Sequence, residues 1–233
     1  MHTNITNSAA GGLPRPKSKV LCLYGIGTNS DILECQTAAL RHQLGDDFEY
    51  DFVEGSYPWP AATGICDVYG DHQPCYSYLD GTAQGAVAAV DDLAAYVREH
   101  GPFDVALGFS LGAALIATLL PRPESGPGAV AIRSAVFLSG TLPGDWHALQ
   151  KGTMRYLEAK DRPGPIRIPT VHAWSPKDAQ HAGHSESLLH MCEPATHISV
   201  LHGAGHAIPS GDSDVGAIAE AIRRTIARLN EAE

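Results

Sequence analysis

Ser110, Asp178 and His206 are far apart in the chain, yet they have the types and the order that an activated hydroxyl nucleophile requires. Ser110 is the centre of Gly108-Phe109-Ser110-Leu111-Gly112, a G-x-S-x-G pattern. A serine hydroxyl attacks poorly until a base takes its proton, and the base needs a carboxylate to hold its tautomer. The surroundings of Ser110 suit that role. Phe103 to Leu107 before it is short and largely apolar, and Ala113 to Leu120 after it is apolar on nearly every side, stopped by Pro121. A strand turning sharply through the serine into a buried helix lifts Oγ above a sheet edge and aims first-turn N–H groups at the attacked atom. Both glycines fit that turn, where a flanking Cβ would clash. The plainer alternative is an N-cap serine in a glycine-rich turn, which the flanking strand and helix disfavour.

The partners are sought downstream, each in a loop after a later strand. Ile168 to Trp174 reads as a strand, and Ser175-Pro176-Lys177-Asp178 is the turn that follows it. Ile198 to Leu201 is the next strand, followed by the glycine-loosened run His202-Gly203-Ala204-Gly205-His206. Asp178 is expected to orient the imidazole of His206, and His206 to take the proton from Ser110. His202, at a strand end, competes for the role of base, and Asp161 is the fallback acid. His172 reads as a strand residue, while His181, His184 and His190 read as solvated surface. His181 and His184 stand at i, i+3, but no third ligand at metal-binding spacing accompanies them, so no metal is expected.

An oxyanion needs N–H donors. Gly25-Ile26-Gly27-Thr28-Asn29-Ser30 follows the first strand, and in a sheet of order 2-1-3-4-5-6 it neighbours the serine turn where strand order reverses. The N–H groups of Ile26 and Leu111 are then expected to converge on the developing charge. A dinucleotide-binding turn is the rival, with Asp51 or Glu54 as ribose ligand. It leaves Ser110, Asp178 and His206 without work, and no cofactor is expected.

The elements that must position these residues alternate. Strand-like runs at Lys19–Tyr24, Phe48–Val53, Val105–Leu107, Ile132–Leu138, Ile168–Ala173 and His197–Leu201 are separated by helix-like segments. The latter are Asp31–Leu44, Thr82–His100, Leu111–Leu120, Trp146–Lys160, Ser185–Cys192 and Val215–Asn230. Such alternation predicts a doubly wound, mainly parallel α/β sheet of about six strands with helices on both faces. Two connections exceed simple turns. Glu54 to Gly81 carries Tyr57, Trp59, Tyr69, Tyr76 and Tyr78, expected to form a wall of the substrate pocket. Ser139 to Pro169 is short enough to allow only a minimal lid.

Residues 1–18 read as a disordered leader, and residues 19–233 as one domain. The formal net charge of −10 disfavours nucleic acid and anionic membrane as partners. No run approaches the roughly 20 apolar residues of a membrane-spanning helix. Five cysteines without C-x-x-C spacing predict a reducing, cytoplasmic setting, with Cys66 and Cys75 the pair placed to join under oxidation.

Taken together, the Leu23–Ser30 block, Gln36, Val53-Glu54-Gly55, the Ser110 pentapeptide, Ile168–Val171 before Asp178, and Gly205-His206 with Pro209 resemble the fungal-type serine hydrolases. These are small, cap-poor α/β-hydrolases. The resemblance runs from about Lys19 to the C-terminus and assigns nucleophile, acid and base to Ser110, Asp178 and His206. It implies an esterase or thioesterase acting on a small-molecule acyl ester or thioester. It further implies release of a polyketide or other acyl chain, with an acyl carrier domain as a possible partner. Two departures stand out: Tyr24 where the family usually has His, and Ser175-Pro176 in place of a glycine turn before the acid.

Overall fold

The computed structural model describes residues 16–121, 131–161 and 166–231. Residues 1–15 of the expected leader lie outside the described residues, and the first strand opens at Ser18. In chain order the elements begin with β1 (Ser18–Leu23), α1 (Ser30–Gln36), α2 (Ala38–Leu44) and β2 (Phe48–Phe52). The long aromatic connection then holds β3 (Tyr57–Pro58), α3 (Ile65–Tyr69) and β4 (Tyr76–Ser77). There follow α4 (Ala83–His100), β5 (Phe103–Phe109), α5 (Leu111–Leu119), β6 (Ile132–Leu138) and α6 (Trp146–Gln150). The chain closes with β7 (Thr170–Trp174), α7 (His184–Leu189), β8 (His197–Leu201) and α8 (Asp212–Glu231).

Six strands form one parallel sheet in the order β2-β1-β5-β6-β7-β8. With the two-residue strands β3 and β4 set aside as a separate antiparallel ribbon, this is the expected order 2-1-3-4-5-6. The central strands β5 and β6 are buried along nearly their whole length, as β-rich apolar runs covered on both faces must be. Helix α8 packs on α2 and on β6, β7 and β8, while α4 packs on α5 and α6. Strand order reverses between β1 and β5, so the loops leaving their carboxyl ends part and open a crevice.

Two expected helices differ. The helix expected at Asp31–Leu44 is broken at Thr37, which leaves the helical backbone conformation (φ −92°, ψ 1°) while its hydroxyl (2.8 Å) and N–H (2.9 Å) both donate to the Leu33 carbonyl. The helix expected at Trp146–Lys160 ends at Gln150, because Gly152 takes a left-handed φ of 79° just beyond it. The five-residue α6 seats Leu149 against Ala83 and Ala86 of α4, so it braces that helix rather than hanging over the crevice. All five cysteines, Cys66 and Cys75 included, are free thiols. Among the described residues no helix is long and apolar enough to cross a membrane.

Candidate active site

Ser110 stands where β5 turns into α5, with φ 51° and ψ −111°, a region a residue with a Cβ seldom occupies. The main chain around it is tied on every side. Its N–H donates to the Leu138 carbonyl (3.1 Å), and its carbonyl accepts from Ala114 N–H (3.1 Å) and Thr141 Oγ1 (3.1 Å). The neighbouring glycines leave no room. A Cβ on Gly108 would lie 2.5 Å from Ala113 N, and one on Gly112 would lie 2.3 Å from the Leu23 carbonyl oxygen. The absence of those two methyl groups lets α5 sit directly on β1.

Asp178 follows β7, in a turn closed by its own N–H donating to the Ser175 carbonyl (3.1 Å). The Ser175 hydroxyl accepts from Lys177 N–H (3.1 Å), supplying by side chain what a glycine turn would supply by backbone freedom. Asp178 Oδ1 accepts from the N–H groups of Gln180 (3.0 Å) and His181 (2.9 Å). Its Oδ2 lies 2.7 Å from His206 Nδ1, and His206 Nε2 lies 2.9 Å from Ser110 Oγ. With a carboxylate on Nδ1, that nitrogen carries the proton, which leaves Nε2 free to accept from the serine hydroxyl. Burial pushes the Asp178 carboxyl up, but hydrogen bonds from His181 N–H, His206 and Gln180 N–H outweigh it and hold the group below the usual carboxylate range.

The competing residues lie elsewhere. His172 is buried in β7 against Thr170 Oγ1 (3.0 Å), and burial drives its imidazole down to about 3. His202 accepts from Ala204 N–H through Nδ1 (3.2 Å) and makes no bond to Ser110. Asp161 pairs with Arg155 (2.6 Å).

The loop after β1 meets the serine turn. A Cβ on Gly25 would lie 3.2 Å from Ser110 Cβ and 2.9 Å from the Phe109 ring, so the backbone of this loop lies directly against those side chains. Among the described residues, nothing accepts a hydrogen bond from Ile26 N–H or Leu111 N–H. A brace that sequence reasoning missed holds this loop. The Tyr24 hydroxyl donates to Glu54 Oε1 and accepts from Gly55 N–H (2.7 Å). Glu54 Oε2 accepts from the Ser30 hydroxyl (2.7 Å). The Tyr78 hydroxyl accepts from Tyr24 N–H (2.8 Å) and donates to the Val53 carbonyl (3.1 Å). Burial, with the Glu54 carboxylate beside it, pushes the Tyr24 phenol far above its ordinary range, so it stays a donor. Glu54 is thus occupied in bracing, not free to hold a ribose. The loop itself signals this poorly, because the partners stand 30 and 54 residues away.

A cavity of about 590 Å³ opens over Ser110 and His206. Its walls come from Ile26 in the loop after β1, Gln36 and Ala39 in α1–α2, Val68 in α3, and His181 and Ile208 beside the histidine. Among the described residues, no Asp, Glu, Lys or Arg lines it. Of the five aromatics expected as its wall, Tyr69 lines it. Tyr57, Trp59, Tyr76 and Tyr78 do not, which corrects that expectation. Tyr57 and Tyr76 belong to the β3–β4 ribbon, and Tyr78 points to the sheet and packs on Tyr24 with ring centroids 4.6 Å apart and planes tilted by 32°. Alternation along so short a ribbon left their facing unread.

Solved structures share this backbone at low sequence identity. A maize acyl-protein thioesterase 2 superposes with a TM-score of 0.62 at 15% identity, covering 91% of this chain and 94% of that one. A Bacillus cereus carboxylesterase gives 0.59 at 17%, covering 90% and 89%. The fold is that of the α/β-hydrolases. By sequence the likeness is narrower. The chain is 39% identical over 195 residues to the esterase FPY3 of Fusarium mangiferae, covering 82% of this chain and 88% of that protein. It is 27% identical to the esterase citA of Monascus ruber, covering 88% and 90%. The chain belongs to the serine hydrolase (FSH1) family, whose profile matches residues 14–218. It is a serine hydrolase of the esterase kind.

Proposed function

We propose that Ser110, His206 and Asp178 form the catalytic triad of this enzyme. Ser110 attacks the acyl carbon as His206 Nε2 takes its proton. The oxyanion is held between Ile26 and Leu111 N–H, and His206 returns the proton to the departing alcohol or thiol. Water, activated by the same imidazole, then cleaves the acyl-enzyme. The observation that carries this reading is the pair of contacts at His206, 2.7 Å to Asp178 and 2.9 Å to Ser110. The two unengaged N–H groups beside them support it.

The substrate we assign is an uncharged acyl ester or thioester, because a charged acyl group would enter a cavity whose described lining holds no Asp, Glu, Lys or Arg to pair with it. Within that class we favour release of a polyketide-type acyl chain, free or on a carrier, as the resemblance to the fungal-type serine hydrolases implies; the similar fungal proteins are named as esterases. Free thiols fit a cytoplasmic setting. A fluorophosphonate probe tests the triad. Labelling should vanish in Ser110→Ala, with turnover of p-nitrophenyl butyrate falling on the order of 10⁵–10⁶-fold. Folded protein that never labels would make the chain a binding scaffold instead. Higher kcat/KM on pantetheine thioesters than on short aryl esters supports chain release, and the reverse order overturns it.

A further inference from the structure

Resting on the triad reading, we propose that His181 is a positioning residue for the base, packing its ring on His206 and setting how the enzyme loses activity in acid. The ring centroids of His181 and His206 are 4.6 Å apart and the planes are inclined by 58°. Among the described residues Phe109 also places its ring against His206, with centroids 5.4 Å apart. His184 continues the series, 5.2 Å from His181, and its buried Nδ1 has no hydrogen-bond partner among the described residues.

The need for such a support lies in the backbone that carries the base. A Cβ on Gly203 would meet nothing within 4 Å, and one on Gly205 would meet only the Lys177 carbonyl at 3.9 Å. A main chain packed this loosely does not fix an imidazole, so the contacts of the side chain must. The ends of the ring are held by Asp178 and Ser110, and the rings placed against it limit rotation about that line. His181 acts on both members of the pair. Its backbone N–H holds Asp178 Oδ1 (2.9 Å), and its side chain touches His206. It also lines the cavity, where it closes the space into which the base would turn.

A phenyl ring would pack equally well, but an imidazole also titrates. The groups facing His181 are His206, His184 and Asp178, and those facing His184 are Asp178, Glu158 and His206. Burial, then the neighbouring imidazoles, hold His181 below the ordinary histidine range, so it is neutral when the enzyme works at neutral pH. On acidification a proton on His181 stands directly against the imidazolium that His206 becomes in each turnover. Protonation of His181 then suppresses activity in addition to protonation of the base itself, and the acid limb of the pH profile carries more than one step.

Steady-state hydrolysis of p-nitrophenyl butyrate from about pH 4.5 to 9 tests this in wild type, H181A and H181F. Wild type should lose kcat/KM in acid with a limiting log slope above one. H181A should lose about tenfold or more in kcat at pH 8 with KM within about twofold, from the freed base. H181F, which keeps a ring, should recover most of that loss. Its acid limb should fall with a slope of one and at lower pH than wild type. Wild-type kcat in H181A, or an unchanged acid limb in H181F, overturns the proposal. If H181A does not fold, the acid limb of H181F decides alone. Wild-type protein that fails to label at Ser110 would defeat the triad reading and take this one with it. Labelling at Ser110 with unaltered H181F behaviour would defeat this one alone.

Discussion

The two sides of the catalytic centre are held in place by different means. On the Ser110 side the main chain does the holding: Ser110 N–H and carbonyl are both bonded, and Gly112 N–H donates to the Tyr24 carbonyl (3.1 Å). Gly108 and Gly112 are pressed against neighbouring backbone. On the His206 side the main chain is nearly unpacked, and side chains hold the ring: Asp178, Ser110, Phe109 and His181. The loop itself is tied to the sheet near its two ends, by His202 N–H donating to the Trp174 carbonyl (3.0 Å) and by Ser139 Oγ donating to the Ala207 carbonyl (3.2 Å). A nucleophile and oxyanion donors must not move as charge develops, so rigid backbone suits them. A base that swings a proton from Ser110 to a leaving group needs orientation, which side chains supply. The first side should therefore reject added atoms, and the second should reject lost partners.

Removing a partner on the flexible side gives the largest expected effect. Asp178→Asn keeps the size of the side chain but favours the wrong imidazole tautomer, and kcat should fall on the order of 10³–10⁴-fold with the fold intact. Steady-state kinetics alongside circular dichroism checks it. A change under about tenfold would show that the carboxylate is not what orients His206.

Adding an atom on the rigid side comes next. Gly112→Ala drives a Cβ to within 2.3 Å of the β1 backbone, where no side chain can yield. The sheet and α5 must separate, at a cost of about 3 kcal/mol or more. Thermal unfolding should drop by roughly 10 °C for a domain of this size, and the activity that remains should fall too. An unaltered midpoint would mean that α5 and β1 are not in close contact.

This difference also explains what could be read from residue order. The six sheet strands are contiguous apolar runs, and the serine turn carries its glycines beside it, so both were legible. Asp178 and His206 could be placed after strands because their loops follow unmistakable β runs. What could not be read is whatever depends on a side chain's facing. His181 looked like solvated surface, but the turn in which Asp178 Oδ1 accepts from Gln180 and His181 N–H wraps it back onto the base. Tyr78 looked like a pocket wall and faces the sheet instead. The break at Thr37 was hidden as well, because apolar periodicity continues across it while one residue leaves the helical backbone conformation.

The oxyanion loop belongs with the rigid side, but its brace is a side chain, and Tyr24→Phe sharpens the comparison there. The substitution removes a donor to Glu54 and an acceptor for Gly55 N–H, while Glu54 Oε1 still lies 3.2 Å from that N–H. Stability should fall by about 1–2 kcal/mol, since part of the bonding survives. With Ile26 N–H less firmly aimed, kcat should fall about tenfold and KM little. An equal loss at KM, with kcat kept, would place Tyr24 in substrate binding rather than in holding the loop.

Gly203→Ala is expected to do least. Gly203 lies in the loop that carries His206, is solvent-exposed, and has no atom within 4 Å of where a Cβ would stand. Its φ lies outside the left-handed region, so alanine can take its backbone conformation without strain. The folded state loses nothing, and the unfolded chain loses some freedom, so stability should change by less than about 0.5 kcal/mol or rise slightly. Activity should stay within about twofold, because the ring of His206 is held by its contacts rather than by the loop. The same glycine-to-alanine change would thus be harmful beside Ser110 and harmless beside His206, as the two modes of anchoring require. Parallel thermal unfolding and kinetics of the two alanine variants measure that contrast directly. A large kinetic loss in Gly203→Ala, without loss of stability, would show that loop freedom itself serves the proton transfer, and the base would then be mobile by design rather than merely held from its sides.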